Sequence, residues 1–126
     1  MSSTPPEQKD AFTLYDLKVS AICPEGKQQI CGAKPGDHFI LQGELLYLPP
    51  GQGFSIYSLA AVLPLLAAKQ RENHRNDWIE SDALVACPDP NCKSVLKIER
   101  VGRRTFSHAE TTHVGLDGNH EDIPGS

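Results

Sequence analysis

Residues 54–68, FSIYSLAAVLPLLAA, are the longest apolar stretch of the chain and decide its fold class. Ser55 stands directly before the apolar run, where a hydroxyl side chain favours the start of a helix. Apolar side chains then recur at helical spacing, and the positions between them are nearly as apolar. The stretch predicts one helix that is mostly buried. A kink or restart is expected around residues 60–63, because Pro64 has no backbone N–H to donate.

Segments with the period of a β-strand lie on both sides of this helix. Residues 15–21 alternate apolar and polar side chains, residues 38–41 form a second strand, and residues 45–48 extend the sheet. Further strands are predicted at residues 83–87 and 94–101, after a surface connection that Trp78 pins to the core. We therefore expect an α+β fold, a small antiparallel sheet of about four strands with one main buried helix between two strand pairs.

The chain is expected to contain a single domain. With 126 residues it can bury a core without cross-links. The ends are polar and have hardly a large apolar residue to bury, so they cannot offset the entropic cost of ordering. We predict a disordered N-terminal tail at residues 1–11, an α+β domain at residues 12–101 and a flexible C-terminal tail at residues 102–126.

The charge and hydropathy of the chain argue against nucleic acids and membranes as partners. The net charge is -4, and lysine and arginine are scattered, so no basic face is expected to bind a phosphate backbone. The apolar stretch is too short to cross a bilayer and is interrupted by Ser58 and Pro64. Residues 1–9 lack the apolar run that a secretory signal requires. We expect a cytoplasmic protein, in which cysteines stay as thiols or metal ligands.

Short motifs follow one another along residues 14–101: Tyr15-Asp16-Leu17-Lys18-Val19, Cys31 with Lys34, Gly36-Asp37 with Phe39, Leu59 with Pro64-Leu65-Leu66, Asp77-Trp78, Ala86-Cys87-Pro88-Asp89-Pro90 and Ile98-Glu99-Arg100. In this order they resemble a family of small uncharacterised microbial proteins. The Cys-Pro-Asp-Pro element is the most specific of them. Members often carry a second Cys-Pro directly before the helix, where this chain has Ser55 and Ile56. The resemblance implies no particular reaction, because the family has no established activity.

The cysteines leave several chemistries open. Four thiolates from Cys23, Cys31, Cys87 and Cys92 would make a closed tetrahedral zinc site, although neither cysteine spacing is that of a zinc knuckle. The same side chains can instead be ordinary buried thiols. A third possibility is a reactive cysteine whose pKa is lowered by a neighbouring cation, as Lys34 would do for Cys31.

No phosphate-binding loop, dinucleotide fingerprint, serine elbow or HExxH motif occurs in the sequence. An enzyme built on this chain would work without an organic cofactor, which favours an isomerase, dehydratase or cyclase acting on a small metabolite, as in a biosynthetic pathway. Its candidate catalytic residues are Cys87, Cys31, Asp89 and Asp37. Its candidate substrate-binding residues are Tyr57, Trp78 and Ser55.

An alternative function stays open, namely a module without catalysis that binds zinc through its thiolates or binds a protein. For either function a homodimer is plausible from the sequence, because a helix that is apolar on nearly every side can be covered by a second copy.

Overall fold

The computed structural model describes residues 10–23, 34–88 and 93–117 of the chain. These residues form strands β1 (Ala11–Ile22), β2 (His38–Gln42), β3 (Leu45–Tyr47), β4 (Leu84–Ala86) and β5 (Val95–Ser107), and helices α1 (Ile56–Lys69), α2 (Trp78–Ser81) and α3 (His108–Thr111). The strands make one antiparallel sheet in the order β3-β2-β1-β5-β4. The α+β class is confirmed. In the described part of the chain the sheet has five strands instead of about four, and two short helices accompany the main one.

The chain divides into two compact units. Tyr15–Gly102 forms one unit, which contains the core, α1 and α2. Met1–Leu14 and Arg103–Ser126 form the other, and the structure describes residues 10–14 and 103–117 of it. The predicted domain, residues 12–101, nearly coincides with the first unit.

The core of the first unit lies between the sheet and α1. Leu17 of β1 is opposite Leu41 of β2, and Val19 is opposite Phe39, so alternate residues of both strands point toward the helix. Phe39 and Val62 have no exposed surface. The buried cluster is completed by residues from all layers: Leu17, Val19, Ala21, Leu41, Leu66, Leu96 and Ile98.

Helix α1 differs from its prediction in two ways. It is buried along one side only, and Ile56, Tyr57 and Leu63 on its outer side are 69, 67 and 53% exposed. The expectation of a mostly buried helix is therefore wrong, because no second layer in the described part of the chain covers that side. The helix also runs through Pro64 without a restart, whereas the expected kink stays a prediction. Pro64 is on the exposed side, where a carbonyl left without a helical donor can reach water.

The buried positions of β1 change phase within the strand. Leu14 and Asp16 are buried at even positions, whereas Leu17, Val19 and Ala21 are buried at odd positions. Sequence alternation starting at residue 15 therefore describes the second half of this strand only.

The C-terminal end of α1 is fixed by Arg100 from β5. Its guanidinium donates to both carboxylate oxygens of Glu80, at 3.0 and 2.7 Å. It also donates to the backbone oxygens of Lys69 and Arg71, at 2.9 and 2.8 Å. The same group lies 4.4 Å from the ring centre of Tyr15. One side chain thus satisfies carbonyl groups at the end of the helix and joins it to the sheet.

The connection between α1 and β4 is anchored by a different residue from the predicted one. Trp78 was expected to reach the core, but it is 58% exposed, whereas the neighbouring Ile79 is 6% exposed. Asp77 accepts a hydrogen bond from the backbone N–H of Ile79 and so starts α2. This cap sets the rotation of the helical turn, and the rotation places Ile79 rather than Trp78 toward the interior.

The second unit is held by aromatic and polar contacts. Phe12 and Phe106 stack with ring centres 5.4 Å apart. Asp10 accepts hydrogen bonds from Ser107 Oγ at 2.9 Å and from the backbone N–H of Ala109 at 3.3 Å. The hydrogen bond from Ser107 is the largest cause that holds the pKa of Asp10 below its ordinary value. Residues 102–107, expected within a flexible tail, are therefore part of β5, which continues to Ser107.

No helix among residues 10–23, 34–88 and 93–117 combines the length and the apolar composition needed to cross a membrane.

Candidate active site

A cleft of about 410 Å³ opens beside the N-terminal end of α1. It is lined by Lys34, Asp37 and residues 50–55, and we refer to it as the α1 cleft. Its volume is within the usual range of small-molecule sites. Two loops therefore form its walls, one leading into β2 and the other leading into α1.

The first loop presents the carboxylate of Asp37 through a tight turn. The backbone N–H of Lys34 donates to Asp37 Oδ2 at 2.9 Å, and the N–H of Asp37 donates to the Lys34 oxygen at 3.0 Å. Gly36 has a φ of 87°, which favours glycine at this position. Hydrogen bonds of 2.9 and 2.7 Å join Gly36 and Asp37 to Ala21 in β1. The carboxylate is thus carried by a turn that is fixed to the sheet.

Gln52 positions the second loop against the first strand residue of β2. Its Oε1 accepts from the N–H of His38 at 3.2 Å, and its Nε2 donates to the His38 oxygen at 2.8 Å. Nε2 also donates to the oxygen of Gly53 at 3.0 Å. The side-chain amide therefore pairs with both backbone groups of His38, as a residue of a neighbouring strand would. It thereby links the two walls of the α1 cleft.

The end of the second loop starts α1. Ser55 Oγ accepts hydrogen bonds from the N–H groups of Tyr57 and Ser58, at 3.2 and 3.4 Å, which confirms the predicted N-cap. Phe54 packs edge-on against Phe39 with ring centres 5.0 Å apart, so the loop is attached to the core. The first turn of α1 has no acidic residue. The positive end of the helix dipole therefore lies beside the α1 cleft without a neutralising side chain in that turn.

The strands also bring two thiols to this end of the first unit. Cys23 directly follows β1 and Cys87 directly follows β4, and both are half-buried thiols. β4 ends opposite the start of β5, which in an antiparallel sheet lies beside the end of β1. Each cysteine comes two residues after a position that packs on the core, Ala21 and Val85. If the alternation of both strands continues by one residue, the two thiols lie on the helix side of the sheet.

The α1 cleft unites two of the residues proposed from the sequence, Asp37 and Ser55. Tyr57 is the second residue of α1 and is 67% exposed. Trp78 belongs to α2, which packs near the opposite end of α1, since Lys69 Nζ donates to the backbone oxygen of Asp82. Trp78 therefore does not line the α1 cleft, and the structure does not bring it together with Ser55.

Part of the proposed site lies outside the described residues, namely Cys31, Asp89 and Cys92. Their proximity to Cys87 stays a prediction. Within the described ranges, no three histidine, cysteine or acidic side chains are grouped so that they would hold a metal ion. Because two of the four proposed zinc ligands belong to the undescribed residues, the zinc site also stays a prediction.

Gln52 was not predicted from the sequence. Its role depends on contacts between its side-chain amide and the backbone of His38, which is 14 residues away in the sequence. The residues next to Gln52 in the sequence give no sign of these contacts. The cluster of Arg100, Glu80 and Lys69 was missed for the same reason. By contrast, Ser55 has a local signal because an N-cap and its helix are adjacent in sequence.

Searches of protein-family models, curated proteins and solved structures gave no match to this chain. The resemblance to a family of small microbial proteins accordingly stays a prediction.

Proposed function

We propose that the protein is a small enzyme without an organic cofactor that binds a small metabolite in the α1 cleft and transfers a proton, as an isomerase, dehydratase or cyclase does. One observation carries this proposal. An acidic residue, Asp37, and a basic residue, Lys34, line the same cleft at the start of a helix. Opposite charges beside a helix N-terminus are suited to removing a proton and stabilising the anion that remains.

The charges of the cleft favour an anionic substrate. Lys34 supplies a positive charge, and the N-terminal end of α1 adds the positive end of a helix dipole. A carboxylate of the substrate would bind near these groups. The carbonyl or hydroxyl carbon next to it would then lie within reach of Asp37.

Asp37 would act as the general base in this reaction. Its Oδ2 is positioned by the N–H of Lys34, and no hydrogen-bond donor among the described residues occupies Oδ1. The ammonium group of Lys34 would stabilise the enolate that forms as the proton leaves. Cys87, Cys31 and Asp89 are proposed as the source of the second proton, which dehydration or isomerisation requires. The reducing cytoplasm would keep these cysteines as thiols.

Hydrogen–deuterium exchange into small acids tests the proposal. The protein is incubated in D₂O with a panel of 2-oxo and 2-hydroxy acids, and loss of the proton next to the carbonyl or hydroxyl group is followed by NMR. We expect exchange with at least one acid, and Asp37→Asn should slow it about 100-fold because the base is removed. Titration of the ¹⁵N-labelled protein with the same acid should shift the amide signals of Lys34, Gly36 and Gly51.

Glu99→Gln provides the matched control. Glu99 forms a surface ion pair with Lys97 at 3.7 Å and does not line the cleft, so this substitution should leave exchange unchanged. The proposal fails if Asp37→Asn exchanges the proton as fast as the unaltered protein. It also fails if no acid in the panel shifts the three amide signals.

A second candidate function is a thiolate metal-binding module, which can also serve as a protein-interaction module without catalysis. The half-buried thiols of Cys23 and Cys87, which follow strands that end at the same end of the sheet, support it. Elemental analysis of protein purified without added metal or chelator, with a thiol titration beside it, distinguishes the two functions. About one zinc per chain with protected thiols would favour the module. Absence of zinc, with one thiol reacting much faster than the rest, would favour the enzyme.

A further inference from the structure

The outer side of α1 is an apolar stripe with no charged side chain. Six residues form the stripe, and all of them are exposed: Ile56, Tyr57, Ala60, Leu63, Pro64 and Ala67. At 100° per residue they cover about one third of the helix circumference, opposite the buried side chains of Val62 and Leu66. Exposed helix surfaces of single-chain proteins normally carry charges, so this stripe indicates an interaction surface.

The order of large and small residues along the stripe makes it complementary to itself. When a second α1 lies antiparallel across it, Ile56 of one copy meets Ala67 of the other. In the same register Leu63 meets Ala60 of the other copy. Each of these large side chains thus faces a small one. Such packing allows two helices to approach within the usual distance of about 8–10 Å. The contact is two-fold symmetric, because each pairing occurs twice.

From this pattern we propose that the protein forms a homodimer through antiparallel packing of two α1 stripes. The occupant is a second copy of this chain, because the stripe offers no charge for a charged partner to recognise and its size pattern fits its own reverse. The antiparallel arrangement also places each helix N-terminus beside a C-terminus of the other copy, which is favourable for the two dipoles. The proposal is independent of the reaction proposed for the α1 cleft.

The area of the stripe limits the strength of the dimer. Ile56, Tyr57 and Leu63 each keep more than half of their surface exposed. With roughly 100 Å² from each large side chain and about half of that from each small one, two copies bury on the order of 900 Å² in total. This total is slightly below the roughly 1,000 Å² that a specific interface should exceed, so the contact belongs with the weak, transient interfaces. We therefore expect a dissociation constant of about 10–100 μM rather than a permanent dimer.

Sedimentation velocity of the full chain from about 1 to 500 μM tests the proposal. The unaltered protein should change from 13.8 kDa to twice that mass within this range. Ala60→Glu places a charge at the centre of the stripe and should raise the dissociation constant at least about 10-fold. Leu84→Glu is the control. Leu84 is 59% exposed on β4 and is adjacent to the core-facing Val85, so it points to the other face of the sheet and should have no effect.

A mixing experiment tests the antiparallel register. Ala60→Glu and Leu63→Lys should each dimerise weakly alone. An equimolar mixture should dimerise at least about 10-fold more tightly than either, because the acidic side chain introduced at position 60 of one copy then faces the basic side chain introduced at position 63 of the other. Circular dichroism checks that both variants keep their helix content.

Two results would overturn the proposal. The first is an unaltered protein that stays at 13.8 kDa at every concentration up to about 500 μM. The second is a dimer that survives Ala60→Glu but is lost in Tyr47→Glu, which would assign the contact to the sheet edge at β3.

Discussion

At the scale of single residues, the ion pair of Arg100 and Glu80 links α1, α2 and the sheet. Hydrogen bonds from Arg100, and next from the side chain and backbone of Asn73, lower the pKa of Glu80 to about 2. The same contact raises the pKa of Arg100. Lys69 lies 6% exposed next to this pair, and burial is the main reason that its pKa is lowered. The cluster is polar, yet its groups are paired with one another or with backbone oxygens.

The depressed pKa of Glu80 predicts an acid-dependent loss of stability. A carboxyl group whose pKa is lower in the folded chain stabilises the fold above its unfolded pKa, here 4.5. That contribution is lost as the pH falls from about 4.5 through about 2. We expect Glu80→Gln to lower the free energy of unfolding at pH 7 and to flatten its dependence on pH within this window. Urea unfolding between pH 2 and 7 measures both effects.

Glu99→Gln separates this contribution from a general effect of charge. The pair of Glu99 and Lys97 is more exposed, with 41 and 44% of the two side-chain surfaces accessible. Pairs of this kind contribute about 0–1 kcal/mol. Equal behaviour of the two glutamine variants in acid would contradict the role given to Glu80.

At the scale of secondary-structure elements, α1 depends on its cap at Ser55. The hydroxyl satisfies two N–H groups of the first turn, and no acidic residue in that turn assists it. Ser55→Ala should therefore destabilise the protein by about 1 kcal/mol, whereas Ser55→Asp should keep the cap. Thermal unfolding followed by circular dichroism compares the three proteins. A stable alanine variant would show that packing of Phe54 on Phe39 is enough to fix the start of the helix.

At the scale of the whole molecule, the main buried cluster of the described residues lies within one of the two units. The buried cluster extends from Leu17 to Ile98, within Tyr15–Gly102. A chain of residues 15–102 is therefore expected to unfold in one cooperative transition, because hydrophobic burial in the core is retained. Calorimetry tests this expectation. In the same fragment, Leu17→Ala should cost about 3 kcal/mol, since it empties a fully buried site. A fragment without a cooperative transition would show that residues 10–14 and 103–117 belong to the same folding unit.

The sequence by itself determined the elements whose information is local. Alternation predicted the second half of β1, and the serine before an apolar run predicted both the cap and the helix that follows. The turn that carries Asp37 is likewise built by neighbouring residues, with Gly36 at a positive φ and the Lys34 N–H on the carboxylate. These features are encoded in consecutive residues, because the period of a strand or helix and the bonding of a cap or turn involve near neighbours in the chain.

Only the tertiary structure decided which of these elements meet. Asp37 and Ser55 line one cleft because Gln52 links the two loops that carry them. In α2, Ile79 is buried and Trp78 is exposed. Among the described residues the tertiary structure also left the outer side of α1 exposed, although the helix sequence is apolar on nearly every side. The physical reason is that such contacts join segments distant along the chain. The free energy of these contacts depends on how helices and strands pack. Local periodicity carries no information about which distant segment a helix or strand will contact.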